Sequence, residues 1–147
     1  MSEAILSATH VIQYDYRRSV GTVLGRFFTG LRQRKLLGVR TASGRVLVPP
    51  AEYDPETGES ASEIVEVGPG GVVTSWTWQA RLRPQHPLER PFAWALIRLD
   101  GADTSLLHAI DAGEASAMKT GMRVVPRWSD APRGGIGDIA CFEPEGT

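Results

Sequence analysis

A chain of 147 residues with a formal net charge of -1 and a single cysteine sets three limits at once. One domain of this size buries a core without staples, the near-zero charge argues against a general polyanion binder, and one thiol excludes an internal disulfide framework and any cysteine zinc cluster. No signal peptide is evident and no apolar run approaches the roughly 20 residues of a membrane span, so the expected setting is cytoplasmic, without membrane contact.

Residues 1–13 show no clear periodicity and read as a loosely held arm. After Tyr14-Asp15-Tyr16, the residues Val20, Val23, Leu24, Phe27, Phe28 and Leu31 fall on one helical face, with Ser19 as the expected N-cap and Arg32, Arg34 and Lys35 at the negative end of the helix dipole. Leu36–Val48 then reads as a hairpin turning at Ala42-Ser43-Gly44, ended by Pro49-Pro50 and followed by the turn Asp54-Pro55-Glu56-Thr57-Gly58.

IVEV, the turn Gly68-Pro69-Gly70-Gly71 and VVTSWTW come next, with Val72, Thr74, Trp76 and Trp78 expected on one face. A Pro-rich loop carrying Arg81, Arg83, His86 and Arg90 leads to a second hairpin. Its apolar runs Phe92–Leu99 and Thr104–Ile110 flank Asp100-Gly101-Ala102-Asp103. Phe92, Trp94 and Leu96 point one way and Ala93, Ala95, Ile97 and Leu99 the other, so this strand needs cover on both faces. A short helix near residues 113–120 and the strands MRVVPRW and GDIACFEP complete the chain. From Ile64 onward this reading counts five strands, with a brief helical segment before the fourth. That order suits a mainly β fold, a five-stranded OB-type barrel preceded by an amphipathic helix and a hairpin module; a small sandwich fits the same pattern.

The chemistry is sparse. There is no nucleophile elbow, phosphate loop, paired-histidine metal motif or dinucleotide fingerprint. Cys141, in the apolar strand IACF, reads as a buried inert thiol. His10 lies in the arm and His86 in a loop, while His108 shares a face with Leu106 and Ile110 and reads as a core or interface histidine. Asp100 and Asp103 are expected to bond local backbone at their turn. Trp76 and Trp78 fit core or interface packing better than the alternative, a platform stacking single-stranded bases.

Taken in order, RFFTGLRQRKLLGVR, GRVLVPP followed by DPETG, GGVVTSWTW, PFAWALIRLDGAD, and TGMRVVPRW ending in DIACFEP resemble the zinc-ribbon/OB-fold proteins that accompany thiolase-like enzymes of acyl-CoA metabolism. The resemblance runs from Tyr16 to Pro144 and implies three parts: an arm over residues 1–13, a helix with a degenerate zinc ribbon over 14–60, and an OB-fold domain over 61–147. Such ribbons carry two Cys-x-x-Cys knuckles. Anchored on Gly44 and Gly58, those four positions fall on Arg40, Ser43, Asp54 and Thr57, and every cysteine is gone. Only Asp54 is a credible ligand, so the expectation is a ribbon without metal. A solvated acidic turn is preferred there over an oxygen-ligand site of Glu52, Asp54 and Glu56.

The resemblance further implies a non-catalytic accessory subunit in a hetero-oligomer with a thiolase-like or sterol-carrier-type acyl-CoA enzyme. The partner would carry out thiolysis or retro-aldol cleavage in lipid or steroid side-chain degradation, with no cofactor held by this chain and acyl-CoA as a shared ligand. The candidate ligand- or partner-binding residues are Arg32, Lys35, Trp76, Trp78, Arg81, Arg83, Phe92 and Trp94, against the plainer reading of the cations as a solvated surface. The rival function is a single-stranded nucleic-acid-binding OB-fold module, which the net charge and 7% aromatic content oppose.

Overall fold

The computed structural model describes residues 4–146 and orders them as one α-helix and eight strands. Helix α1, Gly21–Arg32, buries Val23, Phe27 and Leu31 along the face that the periodicity marks. Its start differs from expectation: Val20 occupies the N-cap without a side-chain bond, and Ser19 Oγ accepts the Gly21 N–H at 3.3 Å. The helix begins at Gly21, with φ +78°, so the capping position falls on Val20, one residue beyond Ser19. At the other end Gly30 O accepts the N–H groups of Gln33 and Lys35, and Arg34 takes φ +59°. A Cβ on Gly30 would meet the Leu37 side chain at 2.7 Å, so glycine there lets α1 close onto the strand that follows.

That strand, β1 (Leu36–Arg40), pairs antiparallel with β2 (Val46–Leu47) on one side and β3 (Glu63–Val67) on the other, giving a three-stranded sheet. The chain then turns at Gly68-Pro69-Gly70 into β4 (Gly71–Gln79), β5 (Phe92–Leu99), β6 (Leu106–Ile110), β7 (Arg123–Trp128) and β8 (Ile139–Pro144). These five close a barrel in the order β4-β5-β6-β8-β7, antiparallel except for β6 beside β8. The fold is therefore mainly β, a five-stranded mixed OB-type barrel preceded by one helix. A 3-10 turn at Ala115–Ala117 stands before β7, the fourth barrel strand. The strand tally needs one correction: six strands follow Ser62, the five of the barrel and β3, which pairs along its whole length with β1 and does not enter the barrel.

Register explains the alanines of β5. Trp76 and His108 flank Ala95 from the two neighbouring strands, and Trp78 and Ile110 flank Ala93, so small residues admit large ones across the same inner face. The face assignment of β4 is corrected by a bulge. Pairing steps from Val73↔Ile97 to Ser75↔Leu96, leaving Thr74 extra and putting Trp76 and Trp78 on the core side with Val73, not with Val72 and Thr74. Both tryptophans pack partly buried against the main core, which also takes in Phe27 and Leu31 of α1, Ile97 and Phe142.

Two hairpin aspartates reach further than their own turn. Asp103 accepts the Val46 N–H at 2.8 Å, and Thr104 Oγ1 bonds both backbone groups of Val48 at 2.7 and 3.0 Å, tying the ribbon sheet to the β5–β6 turn. Asp100 takes both terminal nitrogens of Arg123 at 2.7 Å. The expectation of purely local bonding fails because neighbouring backbone and a β7 guanidinium come within reach of this turn. Among the described residues no helix is long and apolar enough to cross a membrane.

Candidate functional site

The outer face of β5 is the side that needs cover from outside the barrel, and the chain covers half of it. Phe92 is fully buried beneath the β4–β5 loop, with His86 edge-on at 5.3 Å and Leu88 packed alongside, and it joins Ala109 and Cys141 in a small outer core. Trp94 stands edge-on to Phe92 at 5.1 Å and is only partly buried. Beyond it the cover stops. Leu96 pairs across the ladder with Leu107, and these two leucines are 41% and 60% exposed. A shallow cleft of about 180 Å³ lies between Trp76, Trp94, Leu96 and Leu107. A second, of about 230 Å³, lies between Trp94, Leu107, Ile136 and Ile139.

Of the sequence candidates, Phe92 and Trp94 therefore come together, but only Trp94 is reachable from outside. Trp76 and Trp78 pair with Ala95 and Ala93 of the inner face and pack against the core, although Trp76 also borders the cleft beside Trp94 and Leu96. Arg83 joins the outer cluster through its backbone, whose N–H donates to His86 Nδ1 at 3.1 Å, while the Arg81 carbonyl accepts Gln79 Nε2 at 2.6 Å. Arg32 and Lys35 sit elsewhere, at and beyond the end of α1, with Lys35 3.7 Å from Glu66 and Arg32 acting electrostatically on Asp138.

The loop that covers Phe92 is anchored by charge. Asp111, its side chain 3% exposed, receives Arg90 at 2.6 Å and Arg127 at 3.2 Å on one oxygen. Burial pushes this carboxyl up, but the bonds from Arg90 and Arg127 outweigh it and hold it below the usual range. Among the described residues its other oxygen has no partner. Cys141 nearby is buried, and burial pushes its thiol up, which suits an unreactive side chain. His108 is buried with its Nδ1 accepting the Ala109 N–H at 2.9 Å. Burial lowers its affinity for a proton and favours the neutral ring. No cluster of nucleophile, base and oxyanion donors is built from these groups.

The four ribbon positions do not fit zinc. Arg40 is paired with Glu63 at 3.3 Å, the Ser43 hydroxyl lies 2.8 Å from that of Thr41, and Thr57 Oγ1 accepts the Glu59 N–H. Asp54 corrects the expectation of a solvated turn: it is 2% exposed and its carboxylate accepts the Glu56 N–H at 2.8 Å and the Ser43 N–H at 3.3 Å. The Glu56 N–H first, and the groups of Ser43 and Thr41 after it, hold this carboxyl below its usual range against the desolvation that raises it. Among the described residues no three His, Cys, Asp or Glu side chains form a metal-binding group.

Two features escape a reading by motif. Between Asp15 and Glu52 the chain carries seven arginines and Lys35 and no acidic residue, an asymmetry that the net charge of -1 conceals. The arm before it, of which residues 1–3 lie outside the described residues, exposes Ile5, Leu6, Val11, Ile12, Tyr14 and Tyr16 at 71–95%. A count of charge by segment would have found the first, and a period-two scan the Ile12, Tyr14 and Tyr16 part of the second.

Residues 64–129 match a family model described as the ChsH2 C-terminal OB-fold domain. Among solved structures the chain is similar to one described as an Ltp2-ChsH2(DUF35) aldolase, at 25% identity and a TM-score of 0.63 over 87% of this chain and 98% of that one. It is also similar to a DUF35-family protein of unknown function from Sulfolobus solfataricus, at 26% identity and a TM-score of 0.60 over 72% and 78%. No curated protein matches the chain.

Proposed function

We propose, for a chain whose residues 64–129 carry the ChsH2-type OB fold, the role of an accessory subunit that assembles with a lipid-transfer-type, thiolase-like acyl-CoA enzyme. The observation that carries this reading is the half-covered outer face of the barrel. The chain's own loop closes over Phe92 and leaves Trp94, Leu96 and Leu107 as a contiguous apolar surface between two clefts. Apolar anchors of this kind are what a protein interface is built on, and a patch rimmed by polar residues marks such a surface. The similarity to an Ltp2-ChsH2(DUF35) aldolase supplies the class of partner.

In this reading the chain, whose described residues build no catalytic constellation, leaves the chemistry to its partner. Its contribution is to stabilise or position the partner's active site, and the partner performs the cleavage of an acyl-CoA thioester or of a carbon–carbon bond beside it. Acyl-CoA is the shared ligand in this reading, with Arg81 and Arg83 at the edge of the outer cluster as its first phosphate contacts. The test is co-expression with the thiolase-like protein encoded nearest to this gene, followed by co-purification and assay with and without this chain. Co-elution with gain of activity is the expected result. A partner equally active alone, with no co-elution at micromolar concentrations, would refute the reading.

A further inference from the structure

The arm preceding α1 has the chemistry of a strand without a sheet. From Ala4 to Val20 every residue is exposed and none is in regular structure. Among the described residues, no backbone N–H or C=O from Ala4 to Tyr16 makes a hydrogen bond. From Ile12 to Arg17 the side chains alternate strictly, with Ile12, Tyr14 and Tyr16 on one face of an extended chain and Gln13, Asp15 and Arg17 on the other; Leu6 extends the first face, while Ile5 and Val11 fall on the second. The Tyr14 and Tyr16 rings, 6.5 Å apart, already stand on the same side. At helical spacing Tyr14 would point to the side opposite Ile12 and Tyr16, so the three side chains that share the extended face would not form one apolar stripe. Two unmet demands thus coincide in one segment, unpaired backbone groups and an apolar face of period two, and the free edge of another protein's sheet meets both.

We infer that this arm docks on the partner enzyme as an added β-strand, with Leu6, Ile12, Tyr14 and Tyr16 entering apolar pockets beside the sheet edge and Arg17 and Arg18 meeting an acidic rim. The inference rests on the accessory-subunit reading and adds a second contact to it, independent of the Leu96–Leu107 surface. The two arginines open the stretch without acids that runs to Glu52, and neither has a carboxylate partner among the described residues. Backbone pairing supplies the affinity and the alternate side chains supply the choice of partner.

The experiment measures binding of the co-expressed enzyme to the full chain, to a chain beginning at Arg17, and to the full-length triple variant Ile12→Ser, Tyr14→Ser, Tyr16→Ser. Circular dichroism and Tm show that each remains folded, as expected for a segment that touches nothing else. Both altered chains should bind roughly tenfold more weakly or worse. Thr9→Pro and His10→Pro separate strand addition from side-chain contact alone: one of these adjacent prolines removes an N–H that faces the edge and weakens binding, and the other does not. Unchanged affinity of the truncated chain, while the full chain binds, overturns the inference and leaves the accessory reading standing. Absence of binding by the full chain defeats that reading and this inference with it. Truncation that only converts a dimer of this chain to monomer, or only abolishes binding to anionic phospholipid vesicles, gives the arm a different occupant and also overturns it.

Discussion

Asp54 and Ser43, eleven residues apart in sequence, are joined by a hydrogen bond of 3.3 Å from the Ser43 N–H to the Asp54 carboxylate. The same carboxylate accepts the Glu56 N–H, so one buried side chain holds both ribbon turns where a metal would otherwise tie them. Arg45 and Glu56, 2.7 Å apart, brace the same two turns from outside. The ribbon should therefore fold without zinc. Elemental analysis after mild purification should find no stoichiometric metal, and a strong chelator should leave Tm unchanged. Asp54→Ala should lower Tm by several degrees, since both amides lose their acceptor. One zinc per chain whose removal unfolds the protein would sink this account.

Acid should act on a second buried carboxylate. Asp138 accepts the Arg133 N–H at 2.7 Å and the Gly134 N–H at 2.8 Å, and these bonds, the first above all, hold its carboxyl below the usual value. A carboxyl with a depressed folded-state pKa contributes stability above its unfolded pKa of about 3.9, and that contribution disappears as the pH falls through the folded value. Asp138→Asn should therefore be clearly less stable than the parent at neutral pH, with the gap narrowing below about pH 4. Thermal melts of both proteins across this range check it; a gap independent of pH would assign the loss to packing.

How much of this was legible beforehand follows from which forces are local. The α1 stripe and the β5–β6 hairpin announce themselves because burial writes a period of 3.6 or 2 into neighbouring residues. The placement of β3 does not, because IVEV fits either sheet and only its pairing with β1, across the chain, decides. The bulge at Thr74 is invisible for a related reason. It moves Trp76 and Trp78 to the core side through a register set by β5, and the alanines at 93 and 95 that make room for them are on that other strand. Asp54 looked like a solvated turn residue because its partners are amides, which carry no signature in a sequence. The outer surface was legible as a demand for cover, but which half the loop would meet depended on His86 and Leu88 reaching Phe92.

The inward tryptophans turn the nucleic-acid question into a stability question. Trp76 and Trp78 are partly buried against the core, which is where side chains that hold the barrel together sit. Fluorescence anisotropy with mixed-sequence single-stranded oligonucleotides should detect no appreciable binding at physiological salt. Trp76→Ala and Trp78→Ala should each cost about 2 kcal/mol or more by loss of buried surface. Micromolar, salt-sensitive binding abolished by either change at unaltered stability would reverse the assignment.

The outer surface gives the prediction on which the proposed function turns. Leu96 and Leu107 are exposed and directly paired, so Leu96→Asp and Leu107→Asp remove little from the isolated chain and should change its stability by no more than about 0.5 kcal/mol. At an interface the same charges would be buried without partners. Loss of about 2 kcal/mol at an anchor corresponds to roughly 30-fold in affinity. Each variant should therefore fold normally and lose the complex with the enzyme, measured by co-elution and by calorimetry. Charge reversal at Arg81 and Arg83 then divides the surface. Weakened acyl-CoA binding with the complex intact assigns these arginines to ligand phosphates, whereas loss of assembly assigns them to the protein contact. Full retention of the complex by Leu96→Asp and Leu107→Asp together would move the docking face away from β5 and β6 and leave the two leucines as ordinary surface residues.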